Sequence, residues 1–310
     1  QHLAPAVVAG VGEDVGADGG VFRATEGLLE EFGAARVYDT PLAETAIAGL
    51  CVGLAARGFR PLAEIQFMGF LPATLDQLLN HASRLRNRTR GRLSCPMVLR
   101  TPYGGGIHAP EHHSESTEAM FAHIPGLRVV IPASPARAYG LLLAAIRDPD
   151  PVLFLEPKRL YRAFKEPVAD DGEALPLDRC VVLREGGDLT LVTWGAMTLE
   201  TLAAADSLAE QGVDAGVIDV ATLRPLDFPT ILDAVAETGR CVIVQEACRS
   251  SGFGAEIAAR LAEQGLFHLR APVRRVAAPD VVVPYPRLER HFMPSTEGIV
   301  DASLDVVEYS

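Results

Sequence analysis

Residues 37–70 read VYDTPLAETAIAGLCVGLAARGFRPLAEIQFMGF. Thr40 is a helix cap by type, Pro41 suits a first helical position, and Leu42, Leu50 and Leu54 recur at helical spacing. The spacing predicts a helix that closes near Gly58, followed by a strand over 61–67. Glu44 then falls in the first turn, where the helix dipole favours a carboxylate. By position alone, it is a solvated acid of the cap region.

Outward from this stretch, the same alternation repeats. Upstream, 6–11 reads as a buried strand, followed by a glycine-rich loop over 16–20 and a short helix near 26–32. Downstream come a long helix over 71–88, a strand over 96–100 and a Gly-, Pro- and His-rich loop over 101–115. A strand over 128–132, a helix over 135–147 capped by Ser134, and a buried strand over 152–155 follow. After a linker over 164–179, strands at 189–194, 215–219, 241–245 and 273–276 alternate with helices at 199–211, 230–237, 254–264 and 296–308. Strands separated by helices need crossover connections, which give a mostly parallel sheet with helices on both faces. The fold class is therefore α/β with two domains, 1–178 and 179–310, each expected to bury its own core.

Composition narrows the partners. A formal net charge of −12 argues against nucleic acid or an anionic membrane. No apolar run approaches bilayer-spanning length and no signal peptide is visible, so a cytoplasmic protein is expected. Cys51, Cys95, Cys180, Cys241 and Cys248 are scattered, without a C-x-x-C pair, and are expected to be reduced thiols. Gly104, Gly105 and Gly106 match neither phosphate-binding glycine fingerprint. His108 and His112 are four apart, but Pro110 breaks any helix that would make them a metal pair.

The TP-x-x-E helix start, RPLAEIQF, YGGGIHAPEHHSES, FAHIPGLRVVIPASP, RDPDPVLFLEPKRLYR, TLRPLD and VRRVAAPD together cover nearly the whole chain. In these segments it resembles the beta subunit of the thiamine-diphosphate-dependent first component of 2-oxo acid dehydrogenase complexes. The resemblance implies a transketolase-like pyrimidine-binding domain followed by a transketolase C-terminal-like domain. It also implies a tetramer of two alpha and two beta chains and acyl transfer to a lipoyl-bearing acyltransferase. Family members carry a helical lead-in before GEDVG, so residues upstream of Gln1 are expected to be missing from this sequence.

By the same resemblance, Glu44 is the acid that engages the aminopyrimidine ring, with Leu42, Gln66 and Phe70 around the cofactor. Such chemistry needs one acid in a mostly apolar pocket. His113, rather than its neighbour His112, matches the histidine of the acyl-transfer step, where a side chain that donates and accepts protons near neutrality is useful. The GDG magnesium motif of related enzymes is absent, so magnesium and the diphosphate are expected on the alpha subunit. In AAIRDPDP, Ala145, Asp148 and Asp150 match a structural potassium position, and a solvated turn explains them equally well. EIQF and LEPKRLYR lean toward branched-chain members, with pyruvate and acetoin dehydrogenases as alternatives. A non-catalytic assembly subunit and a nicotinamide-dependent dehydrogenase are the rivals; the latter predicts a glycine fingerprint that GVGEDVGADGG lacks.

Overall fold

A computed structural model describes residues 8–309, so the first residues of the expected 6–11 strand lie outside the described part. Among the described residues, twelve strands form two sheets. In chain order they are β1 (Val8–Gly12), β2 (Val37–Asp39), β3 (Arg60–Glu64), β4 (Val98–Tyr103), β5 (Arg128–Val130), β6 (Val152–Pro157), β7 (Val181–Arg184), β8 (Leu189–Thr193), β9 (Ala215–Asp219), β10 (Thr222–Arg224), β11 (Cys241–Cys248) and β12 (Arg274–Ala278). The first sheet has the order β10-β5-β6-β4-β3-β1-β2 and is parallel except for β10. The second has the order β12-β11-β8-β9-β7 and is parallel except for β7. β4, β8 and β9 are buried along their whole length, and the polar residues Arg100, Thr101, Thr190, Thr193 and Asp219 are buried within them.

Most helices form where the caps and spacing place them. Ser134 accepts the amide of Arg137 and opens Pro135–Arg147, while Gly212, at φ +81°, lets the chain leave Met197–Glu210.

Three expectations need correction. The helix after Thr40 begins at Glu44, with Ala43 rather than Thr40 at its cap. Thr40 donates its amide to the Gly12 carbonyl, which prolongs β2 alongside β1 and keeps the chain extended past the point where capping would begin. Glu44 is thus the first helical residue. The long helix expected over 71–88 is three pieces: a 3-10 turn Met68–Thr74 containing Pro72, a π segment Gln77–Ala82, and a short helix Leu85–Arg88. Pro72 cannot donate to the ladder, and the wider turn at Gln77–Ala82 resets the phase of the chain against the Glu44 helix.

The third correction concerns the core. β10 comes from beyond the linker yet pairs antiparallel with β5 of the first sheet. One apolar cluster runs from Val11, Ile47 and Phe121 through Leu223 and Phe228 to Ile243 and Leu261, so the two sheets share a core. Each sheet keeps a smaller apolar layer of its own on its far side.

Candidate active site

In a parallel sheet, the loops that leave the carboxyl ends of the strands converge on one edge. On the first sheet that edge collects Glu13 after β1, Thr40 after β2, Gln66 to Phe70 after β3, the 104–116 loop after β4 and Lys158 after β6. Glu44 joins them because β2 runs straight into its helix. Thr45 Oγ1 donates to the Ala73 carbonyl at 2.6 Å and docks the helix start on the turn that bears Phe70.

Glu44 is half-buried, and the Glu13 carboxylate lies close enough to feel its charge. Burial first, then the charges of Glu44 and Asp14, push the Glu13 carboxyl above its ordinary range, and the Ala43 backbone amide opposes them. Glu13 Oε1 is buried without a hydrogen-bond partner. The sequence reading missed Glu13. Its signal was an acid placed immediately after an apolar strand of a parallel sheet.

Phe70 and His113 are brought together, with ring centroids 5.5 Å apart at 80°. Phe67, also missed, packs edge-on to both: 4.2 Å from His113 and 6.0 Å from Phe70. Such proximity needs a bare backbone between the two phenylalanines. A Cβ on Gly69 would stand 1.9 Å from the His112 carbonyl oxygen, so only glycine lets the 68–70 turn lie against the histidine loop. His113 Nδ1 is buried and unpartnered. Burial lowers the His113 pKa, and the charges of His112 and Lys158 lower it further, so the imidazole stays neutral to a lower pH than usual.

Gln66 is half-buried, and its Nε2 lies 3.5 Å from Asp14 Oδ2, at the limit of a hydrogen bond. Leu42 stands apart: it precedes the helix and is 79% exposed, and Leu50, on the helix, is also exposed. Ala145, Asp148 and Asp150 lie at the opposite edge, before β6. Arg60 Nη1 donates to the carbonyls of Ile146 and Asp148, Arg128 pairs with the Asp148 carboxylate at 2.9 Å, and Arg86 pairs with Asp150 at 2.6 Å. Of these three residues, the Asp148 carbonyl and the Asp148 and Asp150 carboxylates thus face guanidinium groups.

All five cysteines are unpaired. Among the described residues, no group of three or more His, Cys, Asp or Glu is arranged to hold a metal, and no helix is long and apolar enough to cross a membrane.

Residues 4–163 match the transketolase pyrimidine-binding domain and residues 178–299 the transketolase C-terminal domain. The pyruvate dehydrogenase E1 component subunit beta of Bacillus subtilis (strain 168) is 47% identical over 298 residues, 96% of this chain and 92% of its own length. The chain belongs to the E1 beta subunits of 2-oxo acid dehydrogenases. The corresponding E1 beta subunits of Staphylococcus epidermidis and Staphylococcus aureus are 46% and 44% identical, each over 96% of this chain and 92% of their own. A solved structure titled as a split-gene transketolase, an inactive beta4 tetramer, superposes with a TM-score of 0.77 at 21% identity, covering 97% of this chain and 92% of that one. That likeness bears on the fold. As an E1 beta subunit, the chain works beside an alpha subunit.

Proposed function

We propose that this E1 beta subunit serves a pyruvate dehydrogenase, in a tetramer of two alpha and two beta chains that decarboxylates pyruvate and passes the acetyl group to a lipoyl arm. The named relatives favour pyruvate over the branched-chain acids toward which EIQF and LEPKRLYR lean. The observation that carries the reading is Glu44, held at the first helical position, half-buried against the orphaned carboxyl of Glu13.

The residues fit the aminopyrimidine end of thiamine diphosphate. Glu44 offers a carboxylate, Phe67 and Phe70 offer aromatic faces, and Gln66 offers an amide. The diphosphate end and its magnesium belong to the alpha subunit in this reading. Bound there, the cofactor supplies a carbon nucleophile for the keto group and a sink for the electrons left when carbon dioxide departs. Glu44 holds the ring nitrogen of the aminopyrimidine and keeps a proton on it. Leu42 and Leu50 meet the alpha subunit, whose arrival excludes water from the crevice. His113, neutral near pH 7, accepts a proton from the reacting group's hydroxyl and passes it to the lipoyl sulfur released during acyl transfer.

Reconstitution of Glu44→Gln with the alpha subunit tests the assignment. Decarboxylation, assayed with an artificial electron acceptor, is expected to fall by about 10²- to 10⁴-fold. Unchanged decarboxylation rules out Glu44 as the activating acid. Parallel assays with pyruvate and a branched-chain 2-oxo acid decide the substrate, and a higher kcat/KM for the branched-chain acid overturns the pyruvate reading.

A further inference from the structure

The glycines at 104–106 are not a phosphate cradle, yet the backbone there is built for contact with carboxylates, and these come from the second half of the chain. Glu246, near the end of β11, is buried. Its Oε1 accepts the Gly105 amide and, at 3.0 Å, the Ser116 hydroxyl. One oxygen therefore joins the two ends of the loop that carries His113, and the Gly104 amide closes the base by donating to the Glu115 carbonyl at 2.9 Å. Glu289, buried in the helix Pro286–Phe292, grips the outgoing limb. Its Oε1 accepts the Gly106 amide at 2.7 Å, and its Oε2 accepts the His108 amide at 3.2 Å and lies 2.9 Å from His108 Nδ1.

The glycines follow from this grip. Gly104 and Gly106 adopt φ near +85°, and a Cβ on Gly104 would stand 2.6 Å from Glu246 Oε1. A Cβ on Gly105 would stand 3.2 Å from Glu289 Oε1. Lys158, 3% exposed and with no hydrogen-bond partner for Nζ, lies within electrostatic range of both carboxylates and of His113, and 5.8 Å from the centre of the Phe67 ring. Two carboxylates and an ammonium are expensive to bury when none forms a direct ion pair with another. Folding alone has cheaper ways to close a loop, whereas fixed acceptors aimed at loop amides hold its shape to a few tenths of an ångström.

We propose that Glu246 and Glu289 are positioning residues for His113, so that the second domain sets the geometry of acyl transfer although it contributes no group to the chemistry. This inference rests on the reading of His113 given above. The grip holds the loop that runs from Gly104 to Ser116, and Glu44 stands outside it. Its loss therefore separates the two half-reactions.

The test uses the complete alpha/beta enzyme with Glu289→Gln, Glu289→Ala and Glu246→Gln, and with His113→Ala as the reference. Acyl transfer to a free lipoyl domain is expected to fall tenfold or more in Glu289→Ala and less in Glu289→Gln, which keeps one acceptor oxygen. Decarboxylation with an artificial acceptor is expected to stay within about twofold of the parent in the Glu289 variants, as the Glu44 side is untouched. Hydrogen exchange at the amides of Gly106 and His108 is expected to accelerate. Equal loss of both half-reactions, or unchanged acyl transfer with faster exchange, overturns the proposal. If Glu246→Gln fails to assemble, the two Glu289 variants decide. Acyl transfer that survives His113→Ala refutes the reading of His113; acyl transfer lost in His113→Ala but kept in both Glu289 variants refutes the grip alone.

Discussion

The two groups proposed to carry the chemistry sit in opposite surroundings. Glu44 is half-buried at the start of its helix, flanked in sequence by the exposed side chains of Leu42 and Leu50. His113 rides on a loop tied at both ends by carboxylates from the second half of the same chain. A site shared between polypeptides can leave to the partner whatever the partner will cover. A loop that must meet a mobile substrate arm gains nothing from waiting, so it is fixed in advance.

The sharpest way to break this comparison is Glu44→Gln, with its loss of about 10²- to 10⁴-fold in decarboxylation. A smaller loss in acyl transfer than in decarboxylation, once the acyl group is supplied preformed, confirms that the two margins act separately.

Next in size is a stability effect under the loop. Glu118 is fully buried, and its carboxyl accepts the Trp194 indole N–H across the seam between the sheets at 3.2 Å and a backbone amide at its own position. Burial raises its pKa to about 7. The folded state therefore holds this proton more tightly than the unfolded state, so the stability is fully present below pH 4.5 and is lost as pH rises through 7. Glu118→Gln removes that loss. Relative to the parent, its Tm is expected to rise between pH 5 and pH 8, by an amount worth up to about 3 kcal/mol at 1.4 kcal/mol per pKa unit. Thermal melts at the two pH values check it, and a relative Tm that falls instead contradicts the sign.

Gly69→Ala probes the contact between the two regions. With no room for its Cβ beside the His112 carbonyl, the histidine loop must shift, and acyl transfer is expected to slow by about 10- to 100-fold, more than decarboxylation does. Single-turnover assays of the two steps measure the ratio.

The mildest change is electrostatic. Lys158→Met keeps the buried stem but removes a charge that lowers the His113 pKa, so the acid limb of the acyl-transfer pH profile is expected to move to higher pH. An acid limb that stays in place shows that Lys158 is not close enough to matter.

Much of this was legible from residues in a row. The alternation of apolar strands and capped helices sufficed for the α/β class, because Ser134 capping and the mostly apolar composition of β8 and β9 act locally. TP-x-x-E and the His-Ser pair drew attention to Glu44 and His113 through resemblance. What stayed hidden was long-range. Thr40 is a sound cap by type, but its amide was claimed by Gly12, a residue far earlier in the chain. Pro72 looked like a helix start, whereas the 3-10 and π pieces around it answer to packing against the Glu44 helix. Glu246 and Glu289 are separated from the loop they hold by more than a hundred positions, and although Glu246 lies in the apolar strand CVIVQEAC, no local pattern says which loop either acid would meet. Only the glycines left a trace, and that trace was tested against nucleotide loops alone and set aside.

β10 carries a consequence for how the protein is made. The first sheet lacks its outermost strand until residue 224 has left the ribosome, so a nascent chain carries the bare margin of β5 through the whole linker and into the second half. A gene cut at the linker would release two fragments, the first with an unsealed strand ready to pair with a stranger. The subunit is therefore an indivisible unit of translation, whatever its resemblance to two modules joined end to end.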